Sequence, residues 1–318
     1  MLTNHSPLPK LRPIVLVPLI ALCSLLAACT AGPTVSNVPS ITATASAVAS
    51  PTRVTRPTAT MAPLSTLAPT ATAVPTPPST ATPVFADTAT IHARSTVPIL
   101  CYHQVRDWTV DDATVDKAYI MPIKTFAEQM DFLDQQGYHT ISPDQLYAYL
   151  TTGASLPAKP VLLTFDDGHG SEWTNAVPVL QKHHFQATFF IMTVVLDKPH
   201  WLSSDQVKQL DQMGMTIAAH TWDHHRVTRY SGDDWKQQIT LPTKELADLT
   251  GHPIKYFAYP YGLWNTAAFP YLKDAGFLAA FQLSDKMDPG APLLTIRRII
   301  ASGTWKLQTF QDNLAEDF

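Results

Sequence analysis

Seven short apolar runs, rich in β-branched and aromatic residues, recur between residue 94 and the end of this 318-residue chain, with helical patterns between most of them. Alternation of strand and helix patterns favours a parallel sheet whose strands are joined by helical crossovers. With seven strands, we expect an α/β fold in the form of a distorted (β/α)7-type barrel, built by a single domain over residues 94–318. The runs are 97–102, 161–165, 187–191, 215–219, 255–259, 277–281 and 294–300.

Capping and breaking residues mark several of the helices between these runs. Ser142 followed by Pro143 is typical of an N-cap and the first turn of a helix, and Ser203 or Ser204 predicts a second helix start. Pro242 should kink or split the helical stretch 233–250, because proline lacks the N–H that a helix interior needs. The helices therefore have definite sequence boundaries.

The first 28 residues predict a signal peptide rather than a part of the fold. Lys10 and Arg12 form a basic start, and residues 14–28 are apolar but too short and too broken by proline for a comfortable membrane span. Leu26 to Cys29 resembles the bacterial lipobox, which implies cleavage before Cys29 and lipidation of its thiol and amino group. We expect a lipid anchor on the extracytoplasmic side of a bacterial membrane. An ordinary secretory signal with a chance cysteine is the alternative, and it too places the protein outside the cytoplasm.

Residues 29–93 predict a disordered tether rich in Thr, Pro and Ala. Between residues 31 and 90 there are 15 threonines and 10 prolines. Such a segment cannot bury enough apolar surface to offset its ordering entropy, and its prolines keep it extended. Its expected role is to hold the following domain away from the membrane.

Charge and cysteine content exclude several classes of function. The formal net charge is −4 and the pI is about 6.3, so the sequence predicts no nucleic-acid partner. Cys23 and Cys29 belong to the N-terminal segment, which leaves Cys101 in the body of the chain. One thiol can form neither an internal disulfide nor a cysteine metal cluster. We expect Cys101 to be a small buried apolar residue.

Ionisable side chains follow several of the predicted strands directly. Asp166 and Asp167 follow the run 161–165, His103 follows 97–102 and His220 follows 215–219. In a parallel barrel the chemistry collects at the carboxyl ends of the strands. Adjacent residues of an extended chain point to opposite faces, so the two aspartates could take different roles.

Two histidines four residues apart, His220 and His224, suggest a metal site. If the loop after His220 makes a helical turn, both rings face the same way. Two imidazoles and one carboxylate leave coordination positions open for water and substrate, as a catalytic metal requires. His225, at a spacing of five, could serve in place of His224.

The motifs TFDDG (164–168), HTWDH (220–224) and YPYG (259–262), in this order and spacing, resemble the polysaccharide deacetylases of carbohydrate esterase family 4, which share the NodB-homology domain. The resemblance covers about residues 95–300. It implies that Asp166 is the general base and that three residues hold a divalent metal, usually Zn²⁺. It also implies that Pro260 and Tyr261 line the groove and that a backbone N–H beside Tyr261 faces the oxyanion. The implied metal ligands are Asp167, His220 and His224.

Two departures from the family pattern point to one branch of the family. Phe257 to Tyr259 stands where the family has an arginine, and the late Leu-x-His motif that supplies the general acid is missing. The branch acting on poly-β-1,6-N-acetylglucosamine resembles this chain in both respects. In that branch an N-terminal Tyr-His motif supplies the acid, which implies His103. Arg298, or else Arg297, would replace the missing arginine.

The expected activity is metal-dependent hydrolysis of N-acetyl groups from a glucosamine-containing polysaccharide at the cell envelope, either poly-β-1,6-N-acetylglucosamine or a peptidoglycan-like polymer. Chitin-like chains and acetyl esters of xylan stay open as substrates. Tyr261, Trp264, Trp201 and Trp222 are candidates for stacking on sugar rings. One alternative is a non-catalytic, polysaccharide-binding lipoprotein with a degenerate site. Another is a glycosidase that uses the two aspartates, whose adjacency fits poorly with acids that must flank a bond.

Overall fold

The computed structural model describes residues 85–283 and 286–316. No helix in these two ranges is long and apolar enough to cross a membrane. The strands are β1 Ile99–Tyr102, β2 Gln104–Val105, β3 Ile120–Met121, β4 His139–Thr140, β5 Pro160–Asp167, β6 Thr188–Ile191, β7 Thr216–Ala219, β8 Tyr256–Ala258, β9 Ala279–Leu283 and β10 Ile296–Ile300. The α-helices are α1 Thr88–Arg94, α2 Ile123–Gln135, α3 Pro143–Thr152, α4 Val177–Lys182, α5 Ser204–Gln212, α6 Leu241–Thr250, α7 Phe269–Asp274 and α8 Leu307–Glu316.

Seven parallel strands close into a barrel. The hydrogen-bonded order is β1-β10-β9-β8-β7-β6-β5, and the pairing of β1 with β5 closes the ring. Each of the seven strands lies within or overlaps one of the seven apolar runs. The predicted (β/α)7-type barrel is therefore confirmed. The sequence did not predict β4, which pairs with the first two residues of β5, or the separate pair of β2 and β3.

Strand β5 shows how the barrel separates two apolar cores. Val161, Leu163 and Phe165 belong to the larger cluster, which also contains residues of the surrounding helices. Leu162, between them, belongs to a smaller cluster with residues of β6 to β10 and of α1 and α3. The alternation follows from the two-residue period of a strand. Asp166 is an even number of residues from Leu162, so its side chain points to the same side of the strand as the smaller cluster.

The predicted helix starts at Ser142 and Ser203 are confirmed. Each serine accepts a hydrogen bond from the backbone N–H three residues later, and a glutamine at that position binds back to the serine N–H. This reciprocal capping box satisfies two helix donors at once. Pro242 lies in the first turn of α6, directly after a π-helical segment, so the stretch is divided near the predicted place.

The globular part begins earlier than the sequence predicts. Helix α1 occupies residues 88–94, although the tether is predicted to continue to residue 93. Asp87 caps this helix by accepting the N–H of Thr90, Ile91 is buried, and Arg94 donates to the carbonyl of Leu150 at 3.0 Å. These contacts offset the conformational entropy lost when this segment, whose composition resembles that of the tether, becomes ordered. The predicted signal peptide, Cys29 and the tether up to residue 84 lie outside the described residues.

Gly262 makes a close approach that only glycine allows. Its φ is +68°, and a Cβ at this position would lie 2.5 Å from Cβ of Leu283 in β9. The turn after β8 therefore packs directly on the neighbouring strand.

We expect Gly262→Ala to lower the free energy of unfolding by about 2–4 kcal/mol, since it combines a left-handed backbone with a steric overlap. Gly251→Ala is the matched control, because Gly251 has φ +79° but no atom within 4 Å of an added Cβ. Gly251→Ala should lower the free energy of unfolding by about 1–2 kcal/mol. Urea unfolding of both variants measures the difference, and equal losses would contradict the close approach.

Candidate metal and catalytic site

A cavity of about 370 Å³ opens at the carboxyl ends of the barrel strands. Most of the residues expected to be functional line it, together with several that the sequence did not single out. The lining residues are His103, Gln104, Tyr119, Asp166, Asp167, His169, His220, His224, Tyr261, Leu283 and Ile300.

Asp166 and Arg298 form a buried ion pair beneath this cavity. Nη1 and Nη2 of Arg298 donate to the two carboxylate oxygens of Asp166, both at 2.7 Å. The side chain of Arg298 is fully buried and that of Asp166 is 2% exposed. Burial alone raises the pKa of Asp166, but the charges of Arg298 and His220 and the hydrogen bonds from Arg298 together outweigh it and lower that pKa to about 2. Asp166 is therefore an oriented, ionised carboxylate.

The surroundings of Arg298 show why this arginine, and not Arg297, pairs with Asp166. Nη1 also donates to Oγ1 of Thr164 at 3.0 Å, and the guanidinium lies 5.0 Å from the ring centre of Phe190. Arg297 precedes Arg298 on β10 and, by strand alternation, points to the other face. The structure thus brings Arg298, and not Arg297, to the carboxylate of Asp166.

Asp167 does not point away from Asp166, as regular strand alternation would require. Its φ is +83°, so the extended backbone ends there and the side chain turns toward the same cavity. Nε2 of His220 is 3.9 Å from Oδ2 of Asp166 and 3.5 Å from Oδ1 of Asp167. The expectation of opposite faces was wrong because it assumed an extended conformation at Asp167.

Asp167, His220 and His224 form a cluster that fits a metal ion. Their ligand atoms lie within 4.8 Å of one another, and Nε2 of His224 is 3.4 Å from Oδ1 of Asp167. Oδ1 of Asp167 and Nε2 of His220 are buried without a hydrogen-bond partner. Buried polar atoms rarely stay unpaired. A carboxylate oxygen and two imidazole nitrogens are also a donor set that suits a divalent transition metal.

The backbone carbonyl of Ala258 orients His220. Nδ1 of His220 lies 2.8 Å from this oxygen, which can only accept, so Nδ1 carries the proton. The lone pair of Nε2 is then available to a metal. Burial works against protonation of His220, but Asp166 and Asp167 raise its pKa.

The HTWDH segment makes a tight turn rather than the helical turn that the spacing suggested. Thr221 has φ +68° and His224 has φ +66°, and Oγ1 of Thr221 accepts the N–H of His224. This turn still directs both rings toward Asp167. His225, by contrast, is exposed and pairs with Asp223, so the structure brings His224 and not His225 into the cluster.

His103 also lines the cavity. Its ring packs edge-on against Tyr119 at 5.1 Å, and its Nδ1 is buried without a hydrogen-bond partner. Burial lowers the pKa of His103, an effect that Asp167 and Asp166 partly oppose. Cys101, His103 and Asp166 also lie within 4.8 Å of one another, but Arg298 already engages both oxygens of Asp166. This second group therefore fits a proton-transfer arrangement better than a metal site.

The structure places some of the residues expected to bind sugar at the cavity and others away from it. Tyr261 lines the cavity, is 53% exposed and has φ +61°, and its ring lies 4.4 Å from that of His224. Pro260 is buried at the start of the same turn. Trp264 packs on Phe269 at 5.7 Å and is absent from the cavity lining.

Sequence reasoning missed His169, which directly follows the TFDDG motif. Its Nε2 lies 3.5 Å from Oδ2 of Asp167, and its ring stacks on Trp201 at 4.2 Å. The pKa of Asp167 lies well below its usual value: burial opposes this shift, and His169 and His220 produce it. The position next to the aspartate pair was the only sequence signal for this residue.

Residues 153–280 match the family model described as polysaccharide deacetylase. This range contains Asp166, Asp167, His220 and His224 but excludes His103 and Arg298. His103, between β1 and β2, and Arg298, on β10, thus lie on either side of the matched segment.

Two relatives and one solved structure extend this comparison. The chain is 27% identical over 195 residues to YxkH of Bacillus subtilis (strain 168), covering 61% of this chain and 66% of that protein. It is 24% identical over 250 residues to the poly-β-1,6-N-acetyl-D-glucosamine N-deacetylase of Escherichia coli (strain K12), covering 64% of this chain and 37% of that enzyme. The chain therefore spans just under two thirds of the first relative and little more than a third of the second. The structure of IcaB from Ammonifex degensii superposes with a TM-score of 0.58 at 27% identity, covering 69% of this chain and 95% of that one.

We expect Arg298→Met to lower the free energy of unfolding by about 3–5 kcal/mol, because it leaves the buried carboxylate of Asp166 without a partner. The double variant Arg298→Met/Asp166→Leu should recover most of this loss. Urea unfolding in the presence of a chelator measures both. Arg297→Met is the matched control and should lose less. An equal loss in Arg297→Met, or no recovery in the double variant, would contradict the pairing.

Proposed function

The chain carries a polysaccharide deacetylase domain, and on that basis we propose that it is a metal-dependent hydrolase that removes N-acetyl groups from a glucosamine-containing polysaccharide at the cell envelope. The observation that carries the proposal is the division between the two adjacent aspartates. Asp166 is held by Arg298 and ionised, whereas Oδ1 of Asp167 faces two histidine nitrogens.

In this proposal Asp167, His220 and His224 hold the metal, which we infer to be Zn²⁺. When bound there, the ion would polarise the acetyl carbonyl and lower the pKa of the attacking water. Asp166 accepts the proton of that water, since its carboxylate is ionised at neutral pH and lies within 3.9 Å of His220. Arg298 fixes the orientation in which the carboxylate of Asp166 accepts this proton.

Two further residues of the cavity handle the leaving group and the oxyanion. His103 delivers a proton to the departing sugar amine; burial lowers the pKa of its ring, and the carboxylates of Asp167 and Asp166 oppose that shift and favour the protonated form that can donate. We assign the backbone N–H of Tyr261 to the developing oxyanion. Pro260 shapes this turn, and the exposed ring of Tyr261 offers a face to a sugar unit.

The electrostatics of the aspartate pair argue against a glycosidase. A glycosidase needs one carboxyl group with a raised pKa to protonate the leaving oxygen. The pKa of Asp166 is about 2 and that of Asp167 is also lowered, so neither carboxyl group holds a proton at neutral pH.

The intact cluster also argues against a degenerate, merely binding site. All four positions expected for base and metal are present and converge on one cavity. The missing family arginine has a counterpart in Arg298, which forms the same kind of contact that the missing residue would supply.

Two observations favour poly-β-1,6-N-acetylglucosamine as the substrate, with a peptidoglycan-like polymer as the second candidate. One relative is named as a deacetylase of the first polymer, and His103, which the resemblance to that branch implies as the acid, lines the cavity. Mass spectrometry of acetylated β-1,6 and β-1,4 glucosamine oligomers, incubated with the zinc-loaded protein, distinguishes them. The proposal would be contradicted if neither oligomer lost acetyl mass.

We further propose that a lipid on Cys29 anchors the protein on the extracytoplasmic side of a bacterial membrane. The lipobox-like sequence at residues 26–29 supports this, and the Thr- and Pro-rich segment that follows would give the domain reach. Metabolic labelling with a fatty acid, lost in Cys29→Ser, tests the anchor separately from the activity.

Asp166→Asn should reduce acetate release by roughly 10²–10⁴-fold while keeping stoichiometric zinc, because it removes the base but no ligand. His220→Ala should lose both zinc and activity. Acetate assays and zinc analysis after dialysis separate the two outcomes. His225→Ala, which changes an exposed neighbouring histidine, should keep both. A fully active Asp166→Asn protein would overturn the assignment of the base.

His103→Ala should impair amide substrates far more than activated esters. An amine must be protonated as it leaves, whereas 4-nitrophenol leaves without help. We expect a loss of roughly 10²-fold or more on an N-acetylated oligomer and little change on 4-nitrophenyl acetate. Asp166→Asn is the matched comparison and should lose activity on both. Equal losses of His103→Ala on the two substrates would contradict its role as proton donor.

A further inference from the structure

His169 lies between the aspartate pair and a second cavity of about 510 Å³ that Trp201 also lines. The metal site proposed above uses Oδ1 of Asp167, which faces His220 and His224. Nε2 of His169 is 3.5 Å from the other oxygen, Oδ2. The two oxygens of Asp167 therefore face different partners.

Three contacts hold the imidazole of His169 in place. Its ring stacks on Trp201 with 4.2 Å between centroids and 21° between planes. Its backbone N–H donates to Oε1 of the buried Glu172 at 2.8 Å. Residues 169 and 201 also form an antiparallel bridge, which fixes the backbone beneath the stacked rings.

The neighbouring glycines allow this close contact between two loops. The N–H of Gly170 donates to the carbonyl of His200 at 2.8 Å, and Leu202 donates to the carbonyl of Gly168 at 2.9 Å. A Cβ on Gly170 would lie 3.1 Å from the backbone of His200, so glycine there lets the two loops approach without displacing each other. The loop after β5 is thus rigidly docked on residues 200–202.

We propose that His169 is a positioning residue that engages Oδ2 of Asp167 and thereby leaves Oδ1 as the single metal-ligating oxygen. A carboxylate whose second oxygen has no partner can rotate or bind through both oxygens. A fixed imidazole at Oδ2 removes these alternatives. Outer groups of this kind typically change metal affinity by about 10–100-fold when they are replaced.

The test compares His169→Phe with His169→Gln in the full protein. Phenylalanine keeps an aromatic ring to stack on Trp201 but has no N–H, whereas glutamine keeps an N–H donor of similar reach. We expect His169→Phe to weaken zinc binding by roughly 10–100-fold and His169→Gln to stay within a few-fold of the parent. Zinc affinity is measured by competition with a chromophoric chelator, and thermal unfolding without metal verifies that each variant is folded.

His200→Asn is the matched control, because His200 is exposed and lines the same cavity while its side chain has no recorded contact with Asp167 among the described residues. Its zinc affinity should equal that of the parent. Unchanged affinity in a folded His169→Phe protein would overturn the proposal, as would an equal loss in His169→Gln.

The inference rests on the metal site of the proposed function, but its readout needs no substrate. A parent protein that binds zinc tightly yet releases no acetate would contradict the deacetylase activity and leave the His169 effect measurable. A parent protein that binds no zinc would overturn both.

Discussion

Arg298 and Asp166 face each other in a part of the barrel from which solvent is almost wholly excluded, and each would be costly to bury alone. Their two short hydrogen bonds use both carboxylate oxygens, so Asp166 stays ionised and has one orientation. That orientation places the proposed base beside His220, and it also removes Asp166 as a competing metal ligand. The separate role of Asp167 depends on this pairing.

Unusual backbone conformations then bring the remaining groups together. Asp167, Thr221, His224 and Tyr261 all have positive φ, although none of them is glycine. Such residues persist only where the surrounding structure determines them strongly, and they concentrate at functional sites. Here the rigid barrel strands, the Thr221 hydroxyl and the docked loop after β5 supply that support. The site is therefore arranged before substrate arrives, which is how binding and catalytic groups act most efficiently.

The sequence predicted the barrel because its strands are continuous apolar runs, and apolar periodicity is a local signal. It also predicted which residues gather at one rim, because parallel strands end on the same side. Arg298 could be chosen over Arg297 only once the strand fixed which of the two faces Asp166. The turn at Asp167, the His169–Trp201 stack and the docked helix α1 escaped prediction, since each depends on contacts between segments distant in sequence.

Diffraction from zinc-loaded crystals at wavelengths on either side of the zinc absorption edge tests the division between the two aspartates most directly. We predict one anomalous peak about 2.0–2.2 Å from a single oxygen of Asp167 and from Nε2 of His220 and His224, with Asp166 still paired to Arg298. A peak bonded to Asp166, or one between Cys101 and His103, would contradict it.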